Sequence, residues 1–233
     1  MALRHETVYE DDPESLRIPA YAHTFEGFWR WVDSDAFPVA GRIDFLGGEI
    51  EADMSPEDGY THGALKVEVV RTLGSLIIDT DLGDVQADST RFRSPFAAVT
   101  TEPDVITIFR ESVESGLVRL VPSRRRKGEA SVLAFEGAVD LIVEIVSNSS
   151  VGKDLKRLPP FYARAGVCEL WLLDARKPDI RFDVLTLEDG AYAPVAPDGD
   201  GWRHSPRLGR AFRLQRFHQP PFPWRYRLEH RVA

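Results

Sequence analysis

The hydrophobic positions along the chain change period several times, and each period predicts a different element. TFEGFWRWVDS (24–34) spaces its aromatics as one face of a short helix. RIDFLGGEIEAD (42–53) alternates apolar and polar residues on both sides of Gly47-Gly48, the pattern of a tight hairpin. In THGALKVEVVRTLGSLIIDTD (61–81), Leu65, Val69, Leu73 and Leu76 or Ile77 recur at helical spacing. DVQADSTRFR (84–93), DVITIF (104–109), VRLVP (118–122) and VDLIVEIVS (139–147) read as strands. A short helix follows, started or kinked at Pro159-Pro160 and capped by Gly166. CELWLLD (168–174) is a continuous apolar strand, so strand, helix and strand make a parallel βαβ unit. Residues 179–233 alternate short strands with Gly and Pro turns and read as an antiparallel extension of the sheet.

This order predicts an α/β protein with a mixed central β-sheet flanked by helices. A lead-in with one short helix (1–40), a core (41–178) and a C-terminal β extension (179–233) are expected within one domain. No apolar run approaches the roughly 20 residues that span a bilayer. The polar, acidic start, MALRHETVYEDDPESLRIP, resembles neither a signal nor a transit peptide. Cys168, the one cysteine, lies beside an apolar run and reads as a core thiol, so a reducing cytoplasm is expected. The net charge of −8 is unevenly spread: residues 201–233 hold eight arginines against one acid, Glu229, a local +7. A second basic run, Arg124, Arg125, Arg126 and Lys127, lies mid-chain. The acidic total argues against a general nucleic-acid coat protein, while either patch suits gripping a polyanion at one face or simple solvation.

Glu144 interrupts the apolar run L-I-V-E-I-V. An unpaired carboxylate in a buried strand costs several kcal/mol or stays protonated. It therefore pairs with an arginine, sits at an exposed strand end, or serves a metal or catalysis. Asp104 opens a strand directly after Pro103, either as a turn former or as a second acid. If the two strands are neighbours, both carboxylates meet at one sheet edge, where like charges about 4 Å apart repel by about 4 kcal/mol at an effective dielectric of 20. A divalent cation removes that cost, and oxygen ligands suit magnesium or manganese. Lys153 follows Glu144 by one short loop and is able to fold back over the strand end, or to face solvent beside Asp154. Asp154 in turn suits a helix cap.

Together EPDVITI, LIVEIVSNSSVGKD and FYARAGVCELWLLDAR, preceded by GGEIEADMSPED and THGALK, resemble the PD-(D/E)xK nuclease superfamily, and more closely its bacterial Uma-type branch, over about residues 40–190. The resemblance implies a restriction-endonuclease-like core and hydrolysis of phosphodiester bonds, with DNA as substrate, Mg2+ or Mn2+ as cofactor, and 5′-phosphate and 3′-hydroxyl ends. It implies metal ligation by Asp104, Glu144 and the carbonyl of Ile145, and a lysine at the site. The superfamily lysine stands two residues after the glutamate, where this chain has Val146. Many relatives carry it at the position of Leu158, and one variant places it immediately before the aspartate. Lys153 is therefore the candidate, with Lys156 in reserve.

His62 matches a histidine common in the branch and would contact a phosphate, help position the metal site, or simply start the helix. Glu68 is a candidate further helix acid. Glu49 shares a polar hairpin face with Glu51 and would reach the metal or remain a solvated edge. A homodimer is the simplest assembly for two cuts in a duplex. A catalytically silent nucleic-acid-binding or protein-interaction module on the same fold is the rival reading, and a hydrolase of small phosphate esters a third.

Overall fold

The helical stripe and the alternating segments assemble into four α-helices and three sheets in a computed structural model that describes residues 16–123 and 131–232. The helices are α1 (Phe25–Val32), α2 (Ala64–Ile77), α3 (Arg110–Glu114) and α4 (Leu158–Ala165). The first strands are β1 (Arg42–Leu46), β2 (Glu49–Asp53), β3 (Gly83–Ala87), β4 (Arg91–Ser94) and β5 (Val99–Thr101). Then come β6 (Val105–Phe109), β7 (Val118–Pro122), β8 (Val132–Gly137), β9 (Leu141–Ile145) and β10 (Glu169–Asp174). The chain ends with β11 (Arg181–Glu188), β12 (Ala191–Pro194), β13 (Arg203–Ser205), β14 (Arg210–Gln219) and β15 (Phe222–Val232).

The central sheet has the order β12-β11-β10-β9-β6-β3, a second has β2-β1-β5-β4-β8-β7, and a third has β13-β14-β15. β9 and β10 pair in parallel with α4 between them, while β6 runs antiparallel to β9. Strand alternation divides the central sheet between two cores. Val105, Leu141, Val143, Ile145 and Trp171 face the α2 stripe of Leu65, Val69, Leu73 and Ile77, together with Phe212 and Leu228 of the third sheet. Ile106, Ile108, Ile142, Leu170 and Leu172 face Phe92, Val99 and Phe135 of the second sheet and Leu158 and Tyr162 of α4. A third core packs Phe28 and Trp31 of α1 on Ile43 and Phe45. Thr24 caps α1 by accepting the Gly27 N–H, and Gly166, at φ 84°, ends α4 in the left-handed region.

The segment 84–93, read as one strand, is two. Asp88 and Ser89 take φ of 46° and 52°, and the turn they make sends β3 to the central sheet and β4 to the second. Short elements without a clear period, β5, α3 and β8, have no counterpart in the hydrophobic pattern. The C-terminal region also divides. β11 and β12 extend the central sheet antiparallel to β10, whereas β13 to β15 form a sheet of their own packed on α2. Cys168 is exposed, not a core thiol, because it stands on the connection before β10 begins. The basic run Arg124 to Lys127 lies outside the described residues. No helix among the described residues is long and apolar enough to cross a membrane.

Candidate active site

Register decides which acids meet. Val105 pairs with Val143 across the β6–β9 ladder, so the next step sets Asp104 level with Glu144. The Glu144 side chain lies on the Ile142 face by alternation, while Asp104 stands in the bend just before β6. Pro103 precludes further pairing by its missing N–H, and the Asp104 carboxylate takes over the ladder's end: Oδ2 accepts the Ile145 N–H at 2.6 Å. The atom of Ile145 engaged with Asp104 is thus its amide nitrogen.

Asp104 is completely buried, and its Oδ1 is surrounded by cations. Arg42 Nη2 lies at 2.9 Å, Lys66 Nζ at 3.2 Å and His62 Nε2 at 3.3 Å. Glu57 bridges the same three groups, at 3.2 Å from Arg42, 3.2 Å from Lys66 and 2.9 Å from His62 Nδ1. Burial alone would raise the Asp104 pKa; the His62 hydrogen bond and the Arg42 charge overcome it and hold the carboxyl far below the usual range. Burial would likewise lower the His62 pKa, but Asp104 and Glu57 raise it to about 9. The hydrogen bond from His62 pulls Glu57 down to about 2.

Glu144 has a different environment. Its Oε1 accepts the Tyr162 hydroxyl at 2.6 Å, and that hydroxyl lies 3.0 Å from Thr101 Oγ1. Tyr162 comes from α4 and is wedged edge-on against Phe92. Burial, then the charges of Asp154 and Asp104, push the Glu144 pKa well above the usual range. Lys153 is buried, with Nζ 2.9 Å from Asp44 Oδ2, and Asp44 Oδ1 accepts the Glu102 N–H at 3.0 Å. Burial opposes its charge, yet Asp44 and Glu144 raise the Lys153 pKa above its ordinary value. Asp154 does not cap α4. It is buried inside the π-helical turn Lys153–Arg157, accepts the Ser150 hydroxyl, and is pushed up to about 7 by burial.

The other candidates separate. Glu68 accepts the Leu228 N–H at 2.9 Å and pairs with Arg71, so it fastens β15 to α2 rather than joining the carboxylates. Glu49 and Glu51 both hold Arg157, at 2.6 and 2.5 Å, along the hairpin edge. Lys156 is exposed. Arg42, Asp44, Glu57, Lys66 and Tyr162 are the site members that sequence reasoning does not single out. Asp44 carried a signal: in RIDFL it alternates with Ile43 and Phe45, which are buried in the α1 core, so its side chain must face the opposite way, toward the sheet interior.

A cleft of about 220 Å³, lined by Arg42, Asp53, Glu57, His62, Glu102 and Ser147 among others, opens onto this cluster. A larger groove, about 660 Å³, is lined by Ile108, Phe109, Val113 and Leu120 and contains none of the candidate residues. The donor set fits a divalent cation. One ligand atom each of Glu57, His62 and Asp104 lies within 4.8 Å of the others. Asp154 also keeps a buried oxygen, Oδ1, without a hydrogen-bond partner among the described residues. Carboxylate oxygens suit magnesium or manganese, whereas an imidazole suits zinc or iron.

The His62 network has a pH signature. His62 is raised from 6.5 to about 9, so its contribution to stability is complete below pH 6.5 and is lost as pH rises through about 9. Glu57 is lowered from 4.5 to about 2, so its contribution is present above pH 4.5 and lost as pH falls through about 2. The stability lost in His62→Gln should peak between about pH 4.5 and 6.5, at about 1–2 kcal/mol after allowing for the half-exposed Glu57. Thermal unfolding of both proteins from pH 4 to 10 measures it; a difference that stays constant to pH 10 would contradict the ion pair.

A search of curated proteins gives no match. Among solved structures, the fold is similar to a protein from Anabaena variabilis described as "a putative nuclease belonging to DUF820", with a TM-score of 0.56 and 16% identity over 79% of this chain and 90% of that one. At that identity the likeness speaks for the fold. The family model described as "Putative restriction endonuclease" matches residues 28–215, most of the chain and all of the site just described. With its nuclease-like fold and its buried acids at one sheet edge, the chain belongs to the Uma2 family of restriction-endonuclease-like proteins.

Proposed function

We propose that this protein is a metal-dependent endonuclease that hydrolyses phosphodiester bonds in DNA. The observation that carries the reading is the burial of Asp104 and Glu144 at matching register, with an ammonium, Lys153, buried beside them. A structural role alone explains poorly why a fold would bury Asp44 and Asp154 close to Asp104 and Glu144. Asp104 and Glu144, with Glu57 toward the cleft, would hold Mg2+ or Mn2+, and His62 would join them only by giving up the proton it shares with Asp104 and Glu57. Bound there, the ion would lower the pKa of a water and withdraw charge from a phosphoryl oxygen.

The chain's own residues have distinct tasks in this scheme. Tyr162 holds Glu144 in one rotamer. Lys153, kept protonated by Asp44, supplies fixed positive charge to the developing phosphorane and does not take a proton. Arg42 neutralises Asp104 when no ion is present and offers a charge for the neighbouring phosphate once one is. Two chains in a homodimer would cut both strands of a duplex.

The near balance of charge around Asp104, achieved by Arg42, Lys66 and His62, favours one rival: a silent nucleic-acid-binding module that keeps the fold. Supercoiled and linear DNA incubated with magnesium, manganese or chelator, beside Asp104→Asn, separates the two. Metal-dependent cutting that vanishes in Asp104→Asn supports the endonuclease. Cutting that survives in chelator or in the variant would sink it, and salt-sensitive binding without cutting in any metal would favour the module.

A further inference from the structure

We infer that the outer face of the C-terminal hairpin grips the backbone of the nucleic-acid strand that enters the candidate site. This rests on the nuclease reading above and names how its substrate is held. Strand parity creates the face. Along β15, Trp224, Tyr226 and Leu228 turn inward, and Arg225, Arg227 and Arg231 alternate outward. The strand rise sets Arg225 and Arg227 about 7 Å apart on one side.

Most arginines of this region already have partners. Arg207 pairs with Asp140 and Glu111, Arg213 with Glu229, and Arg231 with Asp198. Arg216 donates to the carbonyls of Ala175, Lys177 and Pro178. Arg225 and Arg227 differ. Both are exposed, and neither has an acidic partner among the described residues. Each is instead laid over an aromatic ring, Arg225 at 4.6 Å from the Phe222 centroid and Arg227 at 5.4 Å from that of Phe217. Phe217 is also the register partner of Arg225, so its ring stands on the same outward face as both arginines. Stacking fixes the planar forks and leaves their N–H edges free, an arrangement matched to phosphate oxygens.

Position brings the strand, though not the arginine face itself, close to the site. β15 packs against the π-helical turn Gly59–Gly63, which carries His62, with the inward Tyr226 near Asp58 that caps this turn, while Arg225 and Arg227 stand on the opposite face of the same strand. A strand whose reacting phosphate lies at Asp104 and Glu144 would pass this hairpin. Regularly spaced like charges with no acid of their own match a polymer of regularly spaced phosphates better than they match a protein surface.

The test measures binding in chelator, so it is independent of cleavage. Fluorescence anisotropy with labelled single-stranded and duplex DNA would compare the full-length wild type with Arg225→Ala/Arg227→Ala. Arg110→Ala/Arg181→Ala, which removes the same charge elsewhere, serves as control. The hairpin variant is expected to bind on the order of ten-fold more weakly at physiological salt, and its log–log salt slope to fall by about 2 for duplex. Both side chains are exposed, so its melting temperature should match wild type. Unchanged affinity and slope in the hairpin variant would overturn the inference while leaving the nuclease reading intact. So would an equal loss in the control. Wild type that binds no DNA but binds vesicles of phosphatidylglycerol and phosphatidylcholine, with that binding lost in the variant, would also overturn it and assign the face to a membrane. Loss of DNA binding in the variant alone, even if no metal supports cutting, supports the grip and counts against the endonuclease only.

Discussion

Glu144→Gln is expected to lose DNA cleavage on the order of 10³-fold while melting at or above the wild-type temperature. The two halves of this expectation have one cause. Burial and the charges of Asp154 and Asp104 push the Glu144 carboxyl well above its usual range, which disfavours its ionised form. A glutamine is nearly isosteric with the protonated acid that this shift favours and still offers an oxygen to Tyr162, whose hydroxyl donates at 2.6 Å. Folding therefore loses nothing. In the proposed scheme, however, cation binding would require the ionised carboxylate, and the ion would supply several kcal/mol of transition-state stabilisation, which at 1.36 kcal/mol per tenfold gives the stated loss. Glu144→Ala makes the contrast: it leaves the Tyr162 hydroxyl with only Thr101 and opens a cavity, so it should lose cleavage and also about 2–4 kcal/mol of stability. Calorimetry and plasmid cleavage on the two variants check both halves. Cleavage by Glu144→Gln within ten-fold of wild type would remove Glu144 from the chemistry.

What the sequence discloses of this site follows from chain geometry. Asp104 and Glu144 are legible because each breaks a pattern: one opens a strand after proline, the other interrupts an apolar run, and a shared ladder is the economical way to explain both. For Lys153 the chain leaves two readings open, a short loop that folds it back over the strand end or a solvated charge beside Asp154, and resemblance favours the first; in the structure it is buried and bound to Asp44. Arg42, Asp44, Glu57 and Lys66 remain hidden because their relevance depends on where β1 and α2 pack, a tertiary fact without a local period. Lys66 sits directly after Leu65 of the buried stripe and reads as a flank of the helix, yet it reaches Asp104. The fold shows the same division. Long periodic segments such as α2, β9 and β10 are readable, whereas β5, with three residues, is too short to show a period. The split of 84–93 turned on two residues in left-handed conformation, Asp88 and Ser89, which are residue types that ordinary strands also tolerate at their ends.

Lys153→Met should lose both stability, by about 3–5 kcal/mol, and cleavage, by about 10²–10³-fold, because it strips a buried carboxylate of its cation and the site of a fixed charge. The two losses have separable origins. Asp44 is as buried as Lys153, and its Oδ2 is the partner of the ammonium at 2.9 Å. Removing both charges, in Asp44→Asn/Lys153→Met, leaves an amide that still accepts the Glu102 N–H and no unpaired ion. The double variant should therefore recover most of the stability, as replacement of whole buried pairs commonly does. It should not recover cleavage, since the positive charge beside Glu144 is still missing. Lys153→Arg adds the geometric control: charge is kept, but a planar fork replaces a compact ammonium, so partial activity with near-normal stability is expected. If the double variant cuts DNA as well as wild type, Lys153 is only a structural partner of Asp44, and the charge that assists the reaction must come from Arg42, Lys66 or His62, the cations around Asp104.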